Sequence, residues 1–241
     1  MITLAFDSTA KAASVAVLKD GKALADYTID NGLTQSELLL PMAEDMLKSL
    51  GLEFDDISLY ATSVGPGSFT GVRIGVALVK GLAFGKNKPC VSVSTIEALA
   101  ENLRGLDGII VPAMDARRSQ VYTALFRSDK DGLTRITEDL AIPLTELADR
   151  LSAYPCENIY IVGDGYEVAH KALSSLGIKL SATPIGLRLE NAASVARVAE
   201  AIYQAGGAIT DSEIAPTYLR VPQAERERLE RLAENQINGG N

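Results

Sequence analysis

One stretch constrains the fold more than any other. Gly65-Pro66-Gly67-Ser68-Phe69-Thr70-Gly71 lies between an apolar run at 57–64 and a helix-forming run at 72–84. Apolar residues without strict alternation through 57–61 suit a strand buried on both faces. Three glycines and a proline then force a tight turn that leaves backbone amides bare. Ser68 or Thr70 can cap the following helix, whose first turn offers unpaired N–H groups and a positive dipole end. A strand, a glycine-rich turn and a helix start make either an anion site or a site of close backbone packing. The eight-residue phosphate loop is not present, because no Gly-Lys-Ser/Thr ends the turn. Gly65, Gly67 and Ser68 are therefore candidate nucleotide contacts, with a purely structural turn as the alternative.

The helix at 72–84 carries a second constraint. Gly71 and Gly75 are four apart, as are Gly81 and Gly85, so small residues recur where backbones can approach. Arg73 and Lys80 interrupt the run, which argues for a buried helix in a soluble protein over a membrane span. Each glycine weakens an isolated helix by roughly 1 kcal/mol relative to alanine, so tight packing has to offset it. Upstream, Thr34 and Glu37 form a capping box before a helix at 38–50. Leu39, Met42, Ala43, Met46 and Leu50 recur there at helical steps, Leu40 and Leu47 widen the apolar face, and Pro41 bends it. Either both helices cover their own sheet, or they pair with counterparts in a partner as a four-helix bundle. Both are apolar over more than one stripe, which favours the interface. Its expected residues are Leu39, Met42, Met46, Leu50, Gly71, Gly75, Leu78 and Leu82.

A formal net charge of −8 and a pI near 4.8 disfavour a large basic face for nucleic acid. Cys90 and Cys156 lack metal-like spacing and read as reduced thiols, and the single histidine, His170, rules out a two-histidine site within the chain. No basic leader and no membrane span are evident, so a cytoplasmic location is expected.

In order, strands are expected at 2–6, 13–18 and 23–29, with a hairpin turn at 19–22. The helix at 38–50, a strand within 57–64, the glycine-notched helix, a strand at 89–93 and a helix at 95–103 complete a first half. The pattern then restarts. Leu4-Ala5-Phe6-Asp7, a second strand and Asp20-Gly21 are echoed by Pro112-Ala113-Met114-Asp115, a strand at 120–126 and Asp131-Gly132. A helix at 145–151, a strand at 159–162, a helix at 166–176 and an Asn191-capped helix to 205 follow. A charged helix at 225–236 and a loose tail close the chain.

Two halves with strand, aspartate and hairpin beginnings suggest an α/β fold of the actin, hexokinase and Hsp70 type (ASKHA, ribonuclease H-like), with duplicated β-β-β-α-β-α lobes. The lobes are expected at 1–106, carrying the dimerisation helices, and at 107–221, with the charged helix and tail at 222–241. The glycine turn continued through Val72-Arg73-Ile74-Gly75, Asp115-Ala116-Arg117-Arg118 and Pro216-Thr217-Tyr218-Leu219-Arg220 closely resemble the TsaB (YeaZ) family. Asp7-Ser8-Thr9 and Leu40-Pro41 fit it as well.

The resemblance implies a non-catalytic scaffold for forming N6-threonylcarbamoyladenosine (t6A37) in tRNA. It implies partnership with the catalytic paralogue TsaD and the ATPase TsaE, homodimerisation when TsaD is absent, and tRNA contact only through the complex. No cofactor is then required, although ATP or ADP at the interface of the complex is compatible with it. In TsaD the segment matching 93–99 carries His-x-x-x-His. Here the matching residues are Thr95 and Leu99, which cannot replace two histidine ligands, and this disfavours an M22-type metallopeptidase. Gln35 stands where the family commonly has histidine. Asp7 and Asp115 either face each other across a cleft to position a magnesium nucleotide, as in a small-molecule kinase or ATPase, or cap their own turns by Asx bonding. Asp164 reads as a ligand contact or a helix N-cap. Arg117 and Arg118 read as phosphate contacts or as solvated side chains.

Overall fold

The computed structural model describes residues 1–220. The charged helix expected at 225–236 and the tail around it lie outside the described residues. The first half runs β1 (Ile2–Asp7), β2 (Ala13–Lys19), β3 (Lys22–Ile29), α1 (Gln35–Leu50), β4 (Leu59–Ser63), α2 (Phe69–Ala83), β5 (Cys90–Val93) and α3 (Thr95–Glu101). Its sheet has the order β3-β2-β1-β4-β5, antiparallel from β3 to β1 and parallel from β1 to β5. From Thr3 onward β1 is buried, and β4 is buried throughout. That is why their sequences read as continuous apolar runs and not as alternating ones. One face packs against α1 and α2, and the other against α3 and α6 (Ala192–Gln204).

The second half contains β6 (Gly108–Asp115), β7 (Gln120–Thr123), β8 (Phe126–Asp129), β9 (Gly132–Arg135), β10 (Leu140–Pro143), α4 (Leu144–Leu151), β11 (Ile159–Val162) and α5 (Tyr166–Ser175). The strand expected at 120–126 is split at Ala124–Leu125, yet β7 and β8 keep one register along β6: Ala113 faces Thr123 and Ile110 faces Phe126. β9 and β10 line the outer edge of that broken strand, antiparallel to it. Taking β7 with β8 and β9 with β10 as single strands, the second sheet repeats four of the five strands of the first. Two antiparallel neighbours lie on one side of β6 and parallel β11 on the other. This is the duplicated lobe of the actin and hexokinase class, and an α/β fold. Buried residues of α3 and the turn after it (Ile96, Leu99, Leu103) pack on the second sheet while Ala98 reaches the first, so α3 lies between the lobes. The helix α6, which falls within 107–221, crosses back to cover the first sheet.

Capping is local and legible. Glu37 accepts hydrogen bonds from the Thr34 N–H (3.3 Å) and hydroxyl (2.9 Å), and the helix begins three residues earlier than its apolar pattern. Pro41 lies inside α1, where its missing N–H leaves the Glu37 carbonyl without its helical partner. Ser68 caps α2 by accepting from the Gly71 N–H. Asn191 caps α6 by accepting from the Ser194 N–H.

The glycine spacing of α2 is spent inside the chain. A Cβ on Gly71 would collide with the Ser8 carbonyl oxygen, and one on Gly75 would lie 2.7 Å from Thr62 Oγ1 and 2.8 Å from Ser8 Oγ. The Ser8 hydroxyl donates to the Gly71 carbonyl at 2.8 Å. Leu39, Met42 and Met46, expected above at a partner surface, are instead buried against the chain's own sheet. The correction has a simple cause: a helix lying directly on a two-sided sheet must turn its strongest stripe inward. Leu50, Leu78 and Leu82 are only partly covered. Gly81 has open space where a Cβ would stand.

The two glycine classes should separate under mutation. Gly71→Ala is expected to cost roughly 2–3 kcal/mol, because backbone must move, whereas Gly81→Ala should add about 0.5–1 kcal/mol. Urea denaturation of both variants measures the contrast, and equal effects would contradict it.

Candidate functional site

The two parallel strand pairs end at the same place. Asp7 and Ser63 close β1 and β4, while Asp115 and the Gly163-Asp164-Gly165 turn close β6 and β11. A cleft of about 770 Å³ opens there, lined among others by Thr9, Lys11, Ser68, Asp115, Asp164 and Glu190. It sits beyond the carboxyl ends of parallel strands, where open α/β sheets bind ligands.

Each lobe builds its wall with the same device. In the first, a Cβ on Gly67 would stand 2.6 Å from the Thr9 carbonyl, and Gly71 lies against Ser8. In the second, a Cβ on Gly163 or Gly165 would stand 2.6 or 2.7 Å from the Ala113 carbonyl. Glycine thus lets the turn after the second parallel strand lie on the end of the first. Gly65, with φ of 116°, is pressed on the Thr217 carbonyl, so its side-chain space is filled by the chain's own backbone.

Both strand-end aspartates make Asx bonds. Asp7 Oδ1 accepts from the Thr9 N–H (2.8 Å) and hydroxyl (2.7 Å), and its Oδ2 accepts from Ser63. Asp7 is buried behind the cleft wall and does not face Asp115 across it. Burial raises its pKa above the usual carboxylate value, against the pull of the Ser63 and Thr9 hydrogen bonds. Asp115 Oδ1 accepts from the Arg117 N–H at 2.8 Å. Asp164 caps no helix: Gly165 holds the N-cap of α5, and Asp164 Oδ1 instead accepts from the Asp115 N–H at 3.1 Å. Desolvation raises its pKa, with the Asp115 charge adding to the rise and Lys11 and Arg117 opposing it.

Glu190 gave no sequence signal, since it belongs to no motif and precedes a helix cap. It is 2% exposed, and its Oε1 accepts from the Asp164 N–H at 3.3 Å while Oε2 has no partner. Burial first, then the charges of Asp164 and Asp7, push its pKa well above the normal range. The floor of the cleft is therefore acidic and held at a cost in stability.

The mouth is cationic and aromatic. Phe69 and Tyr218 stack with centroids 4.9 Å apart, and the Arg73 guanidinium lies 3.8 Å over the Phe69 ring while its Nε donates to the Tyr218 hydroxyl. Lys11, Arg117, Tyr122 and Arg220 line the same opening. Arg117, Arg118 and Ser119 have φ of 66°, 54° and 57°, three consecutive left-handed residues of types that rarely adopt this conformation. Gln35 Nε2 donates to the Ala10 carbonyl at 2.7 Å, tying the start of α1 to the cleft's edge. Behind the glycine turns of the cleft, Thr95 and Leu99 are buried in α3, with the Thr95 N–H donating to the Gly65 carbonyl and its hydroxyl finding no partner. Among the described residues, no cluster of three or more His, Cys, Asp or Glu could hold a metal, and no helix is long and apolar enough to cross a membrane.

A family model described as TsaD, tRNA N6-adenosine threonylcarbamoyltransferase, matches residues 34–227. The tRNA threonylcarbamoyladenosine biosynthesis protein TsaB of Bacillus subtilis is 30% identical over 233 residues, covering 95% of this chain and 99% of that protein. The Escherichia coli protein of the same description is 30% identical over 222 residues, covering 91% and 95%. Among solved structures, YeaZ from Pseudomonas aeruginosa superposes with a TM-score of 0.74 at 25% identity, covering 90% of this chain and 99% of that one.

The acidic floor predicts a pH signature. An acid whose folded pKa is raised destabilises the fold above its unfolded value, so Glu190→Gln should stabilise the protein at pH 7–8 by roughly 1–3 kcal/mol. The gain should shrink as pH falls and vanish below about pH 4, where the unfolded glutamate is protonated too. Thermal melts of both proteins across that range measure it. A gain independent of pH, or a loss at pH 7–8, would contradict the assignment.

Proposed function

Because the chain belongs to the TsaB (YeaZ) family of tRNA threonylcarbamoyladenosine biosynthesis proteins, we propose that it serves t6A formation as a non-catalytic subunit that grips a TsaD-family paralogue. One observation carries this reading. The outer face of α2 is only partly covered within the described residues: Ile74, Leu78 and Leu82 are part-exposed, Ala77 and Gly81 are exposed, and Phe84 beyond the helix is 78% exposed. Leu38 of α1 is likewise part-exposed and packs against the same core cluster as Ile74, Leu78 and Leu82. A contiguous apolar strip on a surface helix is the physical mark of a protein partner. The small residues at 77 and 81 let a second helix approach closely.

The side chains available for chemistry support the same reading. Where the family resemblance implies metal-binding histidines in the paralogue, this chain has a buried threonine and a buried leucine. Asp7 spends both carboxylate oxygens within its own turn and on Ser63. On this reading the paralogue supplies the catalytic site, TsaE joins the pair, and the free chain covers its strip by pairing with a second copy. Nucleotide then belongs to the assembled interface and not to Asp7.

Leu78→Asp tests the reading, because Leu78 is part-exposed on the outer face of α2. The variant should keep its stability within about 1 kcal/mol by urea denaturation, weaken pairing with the paralogue by at least about thirtyfold, and fail to support t6A formation in a reconstituted reaction. Unchanged pairing measured by sedimentation would overturn the proposal.

A further inference from the structure

We propose that the mouth of the cleft is a contact surface for single-stranded RNA, an inference that rests on the tRNA-modification reading and adds a direct contact to it. The first observation is a group of arginines without carboxylate partners. Elsewhere among the described residues Arg104, Arg127, Arg135, Arg150 and Arg188 each meet a carboxylate, and Arg197 bonds to Ser194. At the cleft mouth Lys11, Arg73, Arg118 and Arg220 meet none among the described residues, and Arg117 has only Asp115 at 3.9 Å with its side chain 84% exposed. In a chain of net charge −8, these cations gather around one opening, above the acids of its floor. Arg117 and Arg118, both with left-handed backbone, are both exposed.

The second observation is independent of charge. Phe69, Tyr218 and the Arg73 guanidinium form a stack at the opening, with Tyr218 40% exposed. Tyr122 stands across the rim with Arg220 5.8 Å from its ring centre. Aromatic faces interleaved with arginine planes are what unstacked bases bind, each base stacking on a ring while phosphates meet the cations.

The floor sharpens the choice of ligand. Asp115 and Asp164 disfavour phosphate, and the buried Glu190 carboxyl offers an unpartnered oxygen, so a nucleic-acid backbone is confined to the rim, and an uncharged base carrying polar edge groups suits the interior. A duplex offers no free base face to the rings. An acidic peptide would satisfy the cations but would leave the rings and the acidic floor without partners.

The test uses the full chain, alone and paired with its TsaD-family paralogue, and a fluorescein-labelled RNA hairpin copying a tRNA anticodon arm, beside a blunt duplex of the same stem. Anisotropy titrations over a salt series should show hairpin binding stronger than duplex binding. Arg117→Ala with Arg118→Ala should lower the slope of log affinity against log salt by about 0.7 for each phosphate that is no longer neutralised. Tyr218→Ala should weaken hairpin binding about tenfold without changing that slope, while Tyr218→Phe, which keeps the ring, retains affinity. Lys48→Ala, at the far end of α1, should change nothing. Equal hairpin affinity in all variants overturns the proposal, as does equal binding of duplex and hairpin. Variants that no longer bind the paralogue but keep RNA overturn it in favour of a protein contact. Omitting the chain from a reconstituted t6A reaction separates the two levels. If modification needs the chain while the rim variants bind RNA normally, only this inference fails. If modification proceeds fully without the chain, the functional reading beneath it fails.

Discussion

The rest of the molecule depends on the contact between the backbone of α2 and the end of β1. Ser8 donates its hydroxyl to the Gly71 carbonyl, and no side chain larger than hydrogen fits at Gly71. That seats the first turns of α2 on the sheet and fixes the rotation of the whole helix. Val72, Val76 and Val79 then face inward, while Ile74, Leu78 and Leu82 are carried to the outer face. The same seating places Ser68, Phe69 and Thr70 at the cleft mouth. One close approach thus sets both surfaces on which a functional account can be built.

The second lobe repeats the device without repeating the sequence. Gly163 and Gly165 press on the Ala113 carbonyl as Gly67 and Gly71 press on Thr9 and Ser8. The duplication leaves acids from both lobes near one another, and Glu190 completes the group with an unpartnered oxygen in a buried setting. Stability alone does not favour that arrangement, because a buried carboxylate without full hydrogen bonding is destabilising. Strain of this kind is concentrated where a surface has a use beyond folding.

Much of the fold is legible in the sequence because its signals are local. The two-sided burial of β1 and β4, the Thr34 and Glu37 box, the Asn191 cap and the Asp20-Gly21 hairpin each declare themselves within a few residues. The restart at Ile109 is legible too, although the break at Ala124–Leu125 is not, since nothing in the sequence distinguishes a kinked strand from a straight one. The apolar pattern of α1 says which residues avoid water but not what they avoid it against. It therefore points Leu39, Met42 and Met46 at a partner, whereas they lie on the chain's own sheet. Glu190, Lys11 and the pairing of Phe69 with Tyr218 are invisible in the sequence for a different reason. They are brought together only by the closure of two lobes distant along the chain.

The central claim is that α2 is divided lengthwise, its glycine-notched side spent on the chain's own sheet and its apolar side reserved for a sister subunit. Amide hydrogen–deuterium exchange on the full chain, with and without its TsaD-family paralogue, tests this most directly. The account predicts that pairing slows exchange along 74–84 and the adjoining part of α1. Protection confined to the groove lined by Glu44, Gly51, Phe54 and Lys86, or no change along α2, would contradict it.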